Sequence, residues 1–513
     1  MKKKSLLKSA FIFLIFNCAF SYALDFPFVI NKAPVLPDVM GYVNQGAPAF
    51  GDIDGDGEGE IVVGTALGSS VGAIYAFEKN GSNVTGFPVT HGYTTRTIVL
   101  GDIDNNGTME IITNKRLSSA GEVYVYKGDG TVYSGWPKSI DHVPASSCAV
   151  GDITGDGLAE IIAESYTSLY AWDRNGNLLS GFPFVQPAND VNSYSAPVLV
   201  DLTGDNIREI VWGSHILGGG GNVYILKNDG SILSGWPKPV NWWIYGPPSV
   251  GFINNDNVLD IAVGDQVLSA SPVDYVYGWI KNGTPLAGFP IGPINAVNTQ
   301  ILLGDIDNDN MTELIFDDNT SIGGLGKYLA YNHDGTPVNG WPITTQGTSF
   351  FYTPMLFDVN RNGILDISGG SNLTTSSSTI YLWNTGMNYN PSRIYVRMWQ
   401  YNPRHNGVFG DTNIVVSITR ISSNVPEEFN LYQNYPNPFN PSAKIRFDVP
   451  NNRNVTLKIY NSLGKEVNIL INQSLSSGTY ETFWNAQNQP SGVYFYKLTA
   501  GDYSVTKKMI LVK

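Results

Sequence analysis

The apolar positions of this chain fall into short runs rich in β-branched and aromatic residues, separated by Gly, Asn, Asp and Pro. Seven aromatic runs recur: AIYAF from Ala73, VYVY from Val123, LYAW from Leu169, VYIL from Val223, YVYGW from Tyr275, YLAY from Tyr328 and IYLW from Ile380. Runs of this composition, bounded by turn formers, predict strands. Six of them lead into Asn80-Gly81, Asp129-Gly130, Asn175-Gly176, Asp229-Gly230, Asn282-Gly283 and Asp334-Gly335, the dipeptides of tight hairpins. A Gly-Phe/Trp-Pro then closes each unit, at Phe87-Pro88, Trp136-Pro137, Phe182-Pro183, Trp236-Pro237, Phe289-Pro290 and Trp341-Pro342. A unit of about fifty residues with three or four strands is a propeller blade. Beyond Val425 the pattern changes to alternation, in Lys444 to Val449, Val455 to Tyr460, Thr479 to Phe483 and Val493 to Leu498, which predicts a small sandwich. The expected fold is all-β: a seven-bladed β-propeller followed by a small Ig-like β-sandwich.

The count also suggests how the ring closes. The seventh unit has its aromatic run but no Phe-Pro after it, and the missing copy stands at Phe26-Pro27. An N-terminal segment would then add a strand to the last blade, leaving no sheet edge at the seam. The domains expected are a signal peptide over 1–23, the propeller over 24–410, a linker over 411–424 and the sandwich over 425–513.

The signal reading rests on Lys2, Lys3, Lys4 and Lys8, the apolar stretch Ala10 to Phe16, and the small residues of Ser21-Tyr22-Ala23. A membrane anchor needs about 20 apolar residues, more than this stretch supplies, and no transmembrane segment remains after cleavage. The net charge of −13, from 31 basic and 44 acidic residues, becomes 27 − 44 = −17 once four lysines leave with residues 1–23. That balance argues against nucleic acid, whose binders carry a basic face. Cys148 is then the single thiol, so neither a disulfide framework nor a Cys-based zinc cluster is available.

Half of the acidic residues are concentrated in one repeated motif. DIDGDGEGE starts at Asp52, DIDNNGTME at Asp102, DITGDGLAE at Asp152, DLTGDNIRE at Asp201, FINNDNVLD at Phe252, DIDNDNMTE at Asp305 and DVNRNGILD at Asp358, spaced 50, 50, 49, 51, 53 and 53 residues apart. These windows hold 22 of the 44 Asp and Glu. Oxygen side chains fall at positions 1, 3, 5 and 9, and Ca²⁺ takes six to eight hard oxygen ligands. The candidate ligands are Asp52, Asp54, Asp56 and Glu60; Asp102, Asp104, Asn106 and Glu110; Asp152, Thr154, Asp156 and Glu160; Asp201, Thr203, Asp205 and Glu209; Asn254, Asp256 and Asp260; Asp305, Asp307, Asp309 and Glu313; Asp358, Asn360, Asn362 and Asp366. Phe252 replaces the first ligand of the fifth loop, and the seventh carries two charges, so these two sites are expected to be the weakest.

Position 6 is Gly or Asn throughout, residues that tolerate the positive φ a tight loop needs. Position 7 varies freely, as expected where a backbone carbonyl would coordinate. The apolar residues at positions 2 and 10 are expected to anchor both loop ends in the core. An EF-hand would need flanking helices and a Glu at position 12, RTX repeats recur every nine residues, and metal-free Asx turns remain the third alternative.

The loops, with Gly46-Ala47-Pro48, Ser195-Ala196-Pro197 and Gly246-Pro247-Pro248, resemble FG-GAP, or VCBS-type, repeats of the integrin α-chain propeller over residues 25 to about 410. That resemblance implies calcium in the loops. The family usually ends the loop with Asp, and five copies here end with Glu, whose longer side chain puts the geometry of position 9 in question. The end of the chain is similar to type A sorting domains of type IX secretion substrates. Tyr435-Pro436-Asn437-Pro438-Phe439-Asn440-Pro441, Gly492-Val493-Tyr494 and Lys507-Lys508-Met509 carry that likeness. It implies that residues 425–513 engage the type IX secretion machinery and that the protein is exported, to be released or attached at the outer-membrane surface. An ordinary Ig-like accessory domain is the alternative.

Catalytic signals are sparse. His91, His142, His215, His333 and His405 show no metal-ligand spacing. Gly68-Ser69-Ser70-Val71-Gly72 fits G-x-S-x-G, but a nucleophile elbow precedes a helix, and here the strand at Ala73 follows. The Gly218 to Gly221 run reads as a flexible hairpin. Trp242, Trp243 and Tyr245 could form a platform for a sugar ring, although packing on an inner strand is the favoured reading. Trp399 and YNPRHNGVFGD read as the exit from the propeller. The sequence thus points to a calcium-binding, non-catalytic adhesion or ligand-binding module, with its glycan or protein ligand unidentified. A calcium-dependent polysaccharide lyase on a propeller scaffold is the alternative.

Overall fold

A computed structural model describes residues 48–512 apart from 57, 65–71, 93–96, 193, 255, 268, 270, 319–325, 350–351, 360–361, 375–376, 412–418, 423–425, 441, 452, 476, 487–488 and 502. The signal segment, Phe26-Pro27 with the closing strand it implies, Gly68 to Val71 and the ligand candidate Asn360 lie outside the described residues. Apart from a single 3-10 turn at Pro391–Arg393, the regular elements among the described residues are β-strands in antiparallel sheets. They form two compact units. One comprises Gln186–Asp205 with Glu209–Tyr401, the other the described part of Lys32–Val185 with Asn206–Arg208 and Asn402–Lys513.

The second of these units holds three four-stranded meanders: Ala49–Gly51, Glu60–Gly64, Ala73–Phe77 and Val89–Thr90; Val99–Gly101, Glu110–Arg116, Gly121–Tyr126 and Lys138–Ile140; Ala149–Gly151, Glu160–Glu164, Ser168–Trp172 and Phe184–Val185. The other unit holds four sheets built on the same plan. Their second and third strands are Glu209–Ile216 with Gly221–Leu226, Asp260–Gln266 with Asp274–Ile280, Glu313–Asp317 with Lys327–Tyr331, and Ile364–Thr374 with Ser377–Asn388. All seven aromatic runs are third strands. The runs at Leu169 and Val223 are buried throughout, and in several sheets residues two apart stack: Tyr124 on Tyr126 at 5.5 Å, Tyr170 on Trp172 at 5.1 Å, Tyr277 on Trp279 at 5.7 Å and Tyr381 on Trp383 at 5.1 Å. The seventh sheet has three described strands, and Ile380 on its last strand is 71% exposed.

The closing Gly-Phe/Trp-Pro latches one sheet to the next. Trp136 Nε1 donates to the Arg174 carbonyl at 3.0 Å and its ring meets Trp172 edge-on; Trp236 repeats this with the Lys281 carbonyl and Trp279. The glycine is dictated by the same junction. A Cβ on Gly86, at φ 97°, would lie 2.0 Å from the Asp129 carbonyl oxygen of the next hairpin, and Gly135, Gly235 and Gly288 face the equivalent carbonyls of Asn175, Asn282 and Asp334.

Residues 394–406 do more than leave the propeller-like region. In one unit Ile394–Val396 pairs with Leu302–Gly304, the Arg397 carbonyl accepts from Leu356 N, and the Tyr401 hydroxyl accepts from Val250 N at 2.8 Å. In the other, the carbonyls of Pro403, Arg404 and Asn406 accept from Phe50 N, Leu100 N and Val150 N at 2.8, 2.9 and 2.9 Å. Those donors stand one repeat apart on the first strands of their sheets. The segment satisfies strand-edge amides that burial would otherwise leave unpaired.

The C-terminal region is a sandwich of two four-stranded sheets, with Ser442–Val449 and Gly478–Asn485 central in one and Arg453–Asn461 and Gly492–Ala500 in the other. Alternation identifies these four strands, with ends a few residues further out. Thr419–Ser422, which the sequence assigns to the linker, instead pairs with Gly478–Asn485 as an edge strand of the sandwich. The YPNPFNP turn is bound to the last strand: Phe439 N donates to the Ile510 carbonyl, Asn437 Oδ1 accepts from Ile510 N, and the Phe439 ring, 2% exposed, packs on Trp484 at 5.5 Å.

Candidate metal centres

Each acidic nonapeptide links the first and second strands of its sheet, and the seven loops share one internal hydrogen bond. The position-9 carboxylate accepts from the backbone N–H of position 2. The distances are 2.8 Å for Ile53 to Glu60, 3.1 Å for Ile103 to Glu110, 2.9 Å for Ile153 to Glu160, 2.8 Å for Leu202 to Glu209, 2.9 Å for Ile253 to Asp260, 2.8 Å for Ile306 to Glu313 and 3.1 Å for Val359 to Asp366. Glu and Asp make the same contact, so the longer side chain does not change the role of position 9. The bond is held by position 2, buried in the core at Ile53, Ile103, Ile153, Leu202, Ile253 and Ile306. Position 10 is buried in the later copies, but Ile61 of the first is 40% exposed, against expectation. Ile61 pairs with Phe50 and Phe77, so its backbone is held within the sheet while its side chain stands on an open face.

The rest of the loop is wound by its own side chains. The position-1 carboxylate caps the turn, as where Asp305 Oδ1 and Oδ2 accept from Asn308 N and Asn310 N at 2.7 and 3.1 Å. Position 5 accepts from position 7, as from Met311 N to Asp309 at 2.7 Å. Position 6 has positive φ wherever it is described: Gly107, Gly157, Asn206, Asn257, Asn310 and Gly363 lie between 63° and 93°. Position 4 shares that conformation at Gly55, Asn105, Gly155, Gly204 and Asn308, a second turn the sequence reading did not identify.

This winding brings carboxylates together. One oxygen each from Asp52, Asp54 and Glu60, from Asp102, Asp104 and Glu110, and from Asp305, Asp307 and Glu313 lie within 4.8 Å of one another. With one Glu oxygen fixed on the backbone, Glu60 Oε1 and Glu313 Oε1 are buried without a hydrogen-bond partner, as is Asp260 Oδ1. Burial, reinforced by the neighbouring aspartates, pushes the Glu60, Glu110 and Glu313 carboxyls up to about 8, while the backbone N–H bond opposes the rise. Burial likewise raises Glu160 to about 7 and Asp260 to about 6. Convergent hard oxygens, short of positive charge, fit Ca²⁺ by the chemistry of the donor set.

The remaining loops depart from this in graded ways. Thr154 and Thr203 stand at position 3, and their hydroxyls donate to the second oxygen of Glu160 and Glu209 at 3.5 and 3.3 Å. In the fifth loop Phe252 packs on Tyr395 and Asn254 Nδ2 donates to Asp256 at 3.0 Å. In the seventh, Asn384 Nδ2 donates to Asp366 Oδ1 at 3.0 Å, occupying the oxygen that stays open at Glu60 and Glu313. Sequence spacing also missed Glu78: beyond the third strand of the first sheet, its carboxylate reaches within 4.8 Å of Asp54 and Asp56. The positions following other third strands are Lys127, Asp173 and Lys227, so no repeated signal marks it. A cavity of about 310 Å³ lies over the second loop, lined by Asp104, Asn106, Glu110, Lys127 and Tyr133 among others.

The other candidates have structural settings. Gly218 to Gly220 form the hairpin turn after Glu209–Ile216, closed by Ile216 N to the Gly220 carbonyl at 2.9 Å. Burial pushes the Cys148 thiol up to about 12. His405 Nε2 bonds the Pro48 carbonyl at 3.1 Å. His91 sits 3% exposed with Nδ1 on the Tyr126 hydroxyl at 2.9 Å and Nε2 on the Asn114 carbonyl at 3.3 Å, and burial lowers its pKa to about 4. A depressed histidine supplies stability that is present above its unfolded value near 6.5 and lost as pH falls through 4. At about 1.4 kcal/mol per unit this contributes roughly 3 kcal/mol. We expect His91→Phe to flatten the pH 6.5-to-4 limb of the stability curve, read as the difference between variant and wild type in denaturant melts.

Comparison with known proteins places two segments. Residues 52–113 match the FG-GAP-like repeat family, and residues 433–513 match the secretion system C-terminal sorting domain. The chain thus contains an FG-GAP-like repeat and a type IX secretion C-terminal sorting domain, which directs export to the cell surface or the extracellular space. Among the described residues no helix is long and apolar enough to cross a membrane. No curated protein matches the chain. Among the solved structures that match, two show the level of likeness. The V. cholerae biofilm matrix protein Bap1 has a TM-score of 0.42 and 12% identity, over 70% of this chain and 91% of that one. PorZ, a surface component of the type IX secretion system of Porphyromonas gingivalis, has a TM-score of 0.34 and 12% identity, over 94% of this chain. The chain spans 61% of the length of PorZ.

Proposed function

We propose that this protein is a calcium-stabilised β-propeller, exported by type IX secretion, that acts at the cell surface or outside the cell as a non-catalytic adhesion or ligand-binding module. The seven sheets would close into a ring over residues 24–410, with the N-terminal segment pairing on the exposed edge that carries Ile380. The observation that carries the calcium assignment is the open, buried oxygen of the position-9 carboxylate, repeated at Glu60 and Glu313 beside two further carboxylates each. Calcium there would neutralise the clustered charge and tie the first two strands of each sheet together. The adhesive part of the reading draws on the sorting domain and on the restriction of the histidines and thiol described above to packing roles.

Charge count ranks the sites. The first, second and sixth loops, with three converging carboxylates, should fill first. The third and fourth, where threonine replaces an aspartate, should follow, and the fifth and seventh should fill last. Extracellular Ca²⁺ modules typically have Kd values of about 10⁻⁴–10⁻³ M. Equilibrium dialysis of the chain lacking residues 1–23 should therefore find about three ions bound at sub-millimolar free Ca²⁺, rising to about five at several millimolar. Less than one ion per chain at millimolar Ca²⁺ would sink the assignment.

A further inference from the structure

The residue that follows the third strand separates the first acidic loop from the second. In the first sheet it is Glu78, whose carboxylate lies within 4.8 Å of Asp54 and Asp56, so the chain itself brings one more carboxylate to the loop. In the second sheet the same place holds Lys127, whose ammonium cannot ligate a cation. A cavity of about 310 Å³ opens there, lined by Lys127 together with Asp104 and Glu110 of the loop. Glu110 is 3% exposed and spends one oxygen on Ile103 N at 3.1 Å. No donor from another described residue takes its second oxygen, and the residue forms part of the cavity wall.

Lys127 stands exposed at the rim, and among the described residues it forms no ion pair. Its Nζ lies 5.7 Å from the centre of the Tyr133 ring, and Tyr133 donates its hydroxyl to Asp104 Oδ2 at 3.1 Å. Tyr133 thus ties the hairpin that carries the lysine to the acidic loop. The other hairpins ending in Gly-Phe/Trp-Pro have Val84, Leu179, Leu233, Leu286 and Val338 at that position, none of which can make either contact.

Charge decides what can enter. Asp102, Asp104 and Glu110 exceed a Ca²⁺ ion by one negative charge, and Lys127 offsets it. An incoming carboxylate then meets no net repulsion, with a divalent cation on one side and an ammonium on the other, and charge-assisted contacts of this kind are strong ones. Ca²⁺ takes six to eight oxygens. That is more than Asp102, Asp104, Asn106 and Glu110 supply at one oxygen each, even with a backbone carbonyl added. With no cation in the loop its carboxylates would repel the same group. The rest of the lining is hydrophilic: Thr108, Ser134 and Asn175 bring hydroxyl and amide groups, and no aliphatic side chain is among the lining residues. The volume stands at the lower end of small-molecule sites, about 300–1,000 Å³, which restricts the guest to a short unit.

We propose that the second loop and Lys127 hold a uronate residue of an acidic polysaccharide, its carboxylate supplying what Glu78 supplies in the first sheet. The inference rests on the calcium reading and names a ligand class for the binding module. A uronate carries its carboxylate on a hydroxylated ring, matching the hydroxyl and amide lining. The aspartate and glutamate of an acidic peptide carry theirs on an aliphatic stem, for which the lining offers no aliphatic surface.

The test is saturation-transfer NMR of the chain lacking residues 1–23 with methyl glucuronoside, its neutral counterpart methyl glucoside, and a short glutamate peptide. In millimolar Ca²⁺ the signal should reach the glucuronoside and not the glucoside, and EDTA should remove it. Lys127→Glu, which supplies the carboxylate from the chain itself, should weaken binding about tenfold or more, the scale of one lost charge-assisted contact. The Ca²⁺ bound per chain and the melting temperature in Ca²⁺ should not fall in that variant. Lys127→Arg keeps the charge and should retain most of the binding. Lys227→Glu, the corresponding exchange in the fourth sheet, should behave as wild type. Transfer to neither sugar, equal transfer to both, stronger transfer to the peptide, transfer that survives EDTA, or undiminished binding by Lys127→Glu would each overturn the proposal. Ca²⁺ bound by dialysis without transfer to the glucuronoside sinks this proposal alone, whereas a chain that binds no Ca²⁺ sinks the calcium reading beneath it.

Discussion

Chelating calcium from the mature chain at low salt should lower its melting temperature by roughly 10 °C or more, and restoring Ca²⁺ should reverse the fall where equimolar Mg²⁺ does not. A ligand that binds the folded state alone stabilises it by RT ln(1 + [L]/Kd), about 1.4 kcal/mol per site at tenfold excess. Five sites of that kind would together contribute about 7 kcal/mol, comparable with the whole net stability of a domain, about 5–15 kcal/mol. Without the ion, each of the first, second and sixth loops holds three carboxylates within 4.8 Å, one of them buried. The loss therefore includes released repulsion as well as the missing ligand. Mg²⁺ is a poor substitute because it demands near-octahedral geometry and dehydrates reluctantly. Scanning calorimetry in EDTA, Ca²⁺ and Mg²⁺ reads all three. An unchanged melting temperature in EDTA would remove the metal from the loops and leave them as Asx turns.

Much of this architecture was legible because repetition multiplies weak signals. A single DIDGDGEGE suggests a turn; seven at a fifty-residue period, each with an aromatic run behind it, identify the first two strands and the third. Alternation found four strands of the sandwich, but it missed Thr419–Ser422, a four-residue edge strand whose partner is some sixty residues away. Position 9 was legible as a candidate ligand from its residue type. Its bond to the position-2 N–H was not, since that depends on how the loop folds back on its own start. Asn384 on Asp366 and Glu78 beside Asp54 come from the neighbouring strand and its turn, and nothing in the nonapeptide reports them. The carbonyls of Pro403, Arg404 and Asn406 were the least legible. Their donors lie about 250 to 350 residues earlier, and a backbone acceptor carries no residue signature.

Replacing Glu313 by Gln should change stability in opposite directions with and without calcium. Gln keeps the size and the oxygen that accepts from Ile306 N, so the 2.8 Å bond holding the loop survives. What changes is the buried Oε1, now an amide nitrogen facing Asp305 and Asp307, which lie with Glu313 in one 4.8 Å cluster. In EDTA a donor replaces an unpaired carboxyl oxygen, and burying a polar atom without a partner is costly while burying a hydrogen-bonded one is not. The variant should match or exceed wild type there, by about 1–3 kcal/mol, the usual scale of an unsatisfied buried group. In saturating Ca²⁺ the sign reverses, because an amide nitrogen cannot ligate and one of the strongest sites is lost. Glu313→Ala should be less stable than wild type in both conditions, since it also orphans the Ile306 N–H and opens a cavity. Denaturant melts of the three proteins in EDTA and in 10 mM Ca²⁺, about tenfold above the expected Kd, give six values. Parallel ranking of Gln below wild type in both buffers would mean that Glu313 serves the loop as a hydrogen-bond acceptor and nothing more.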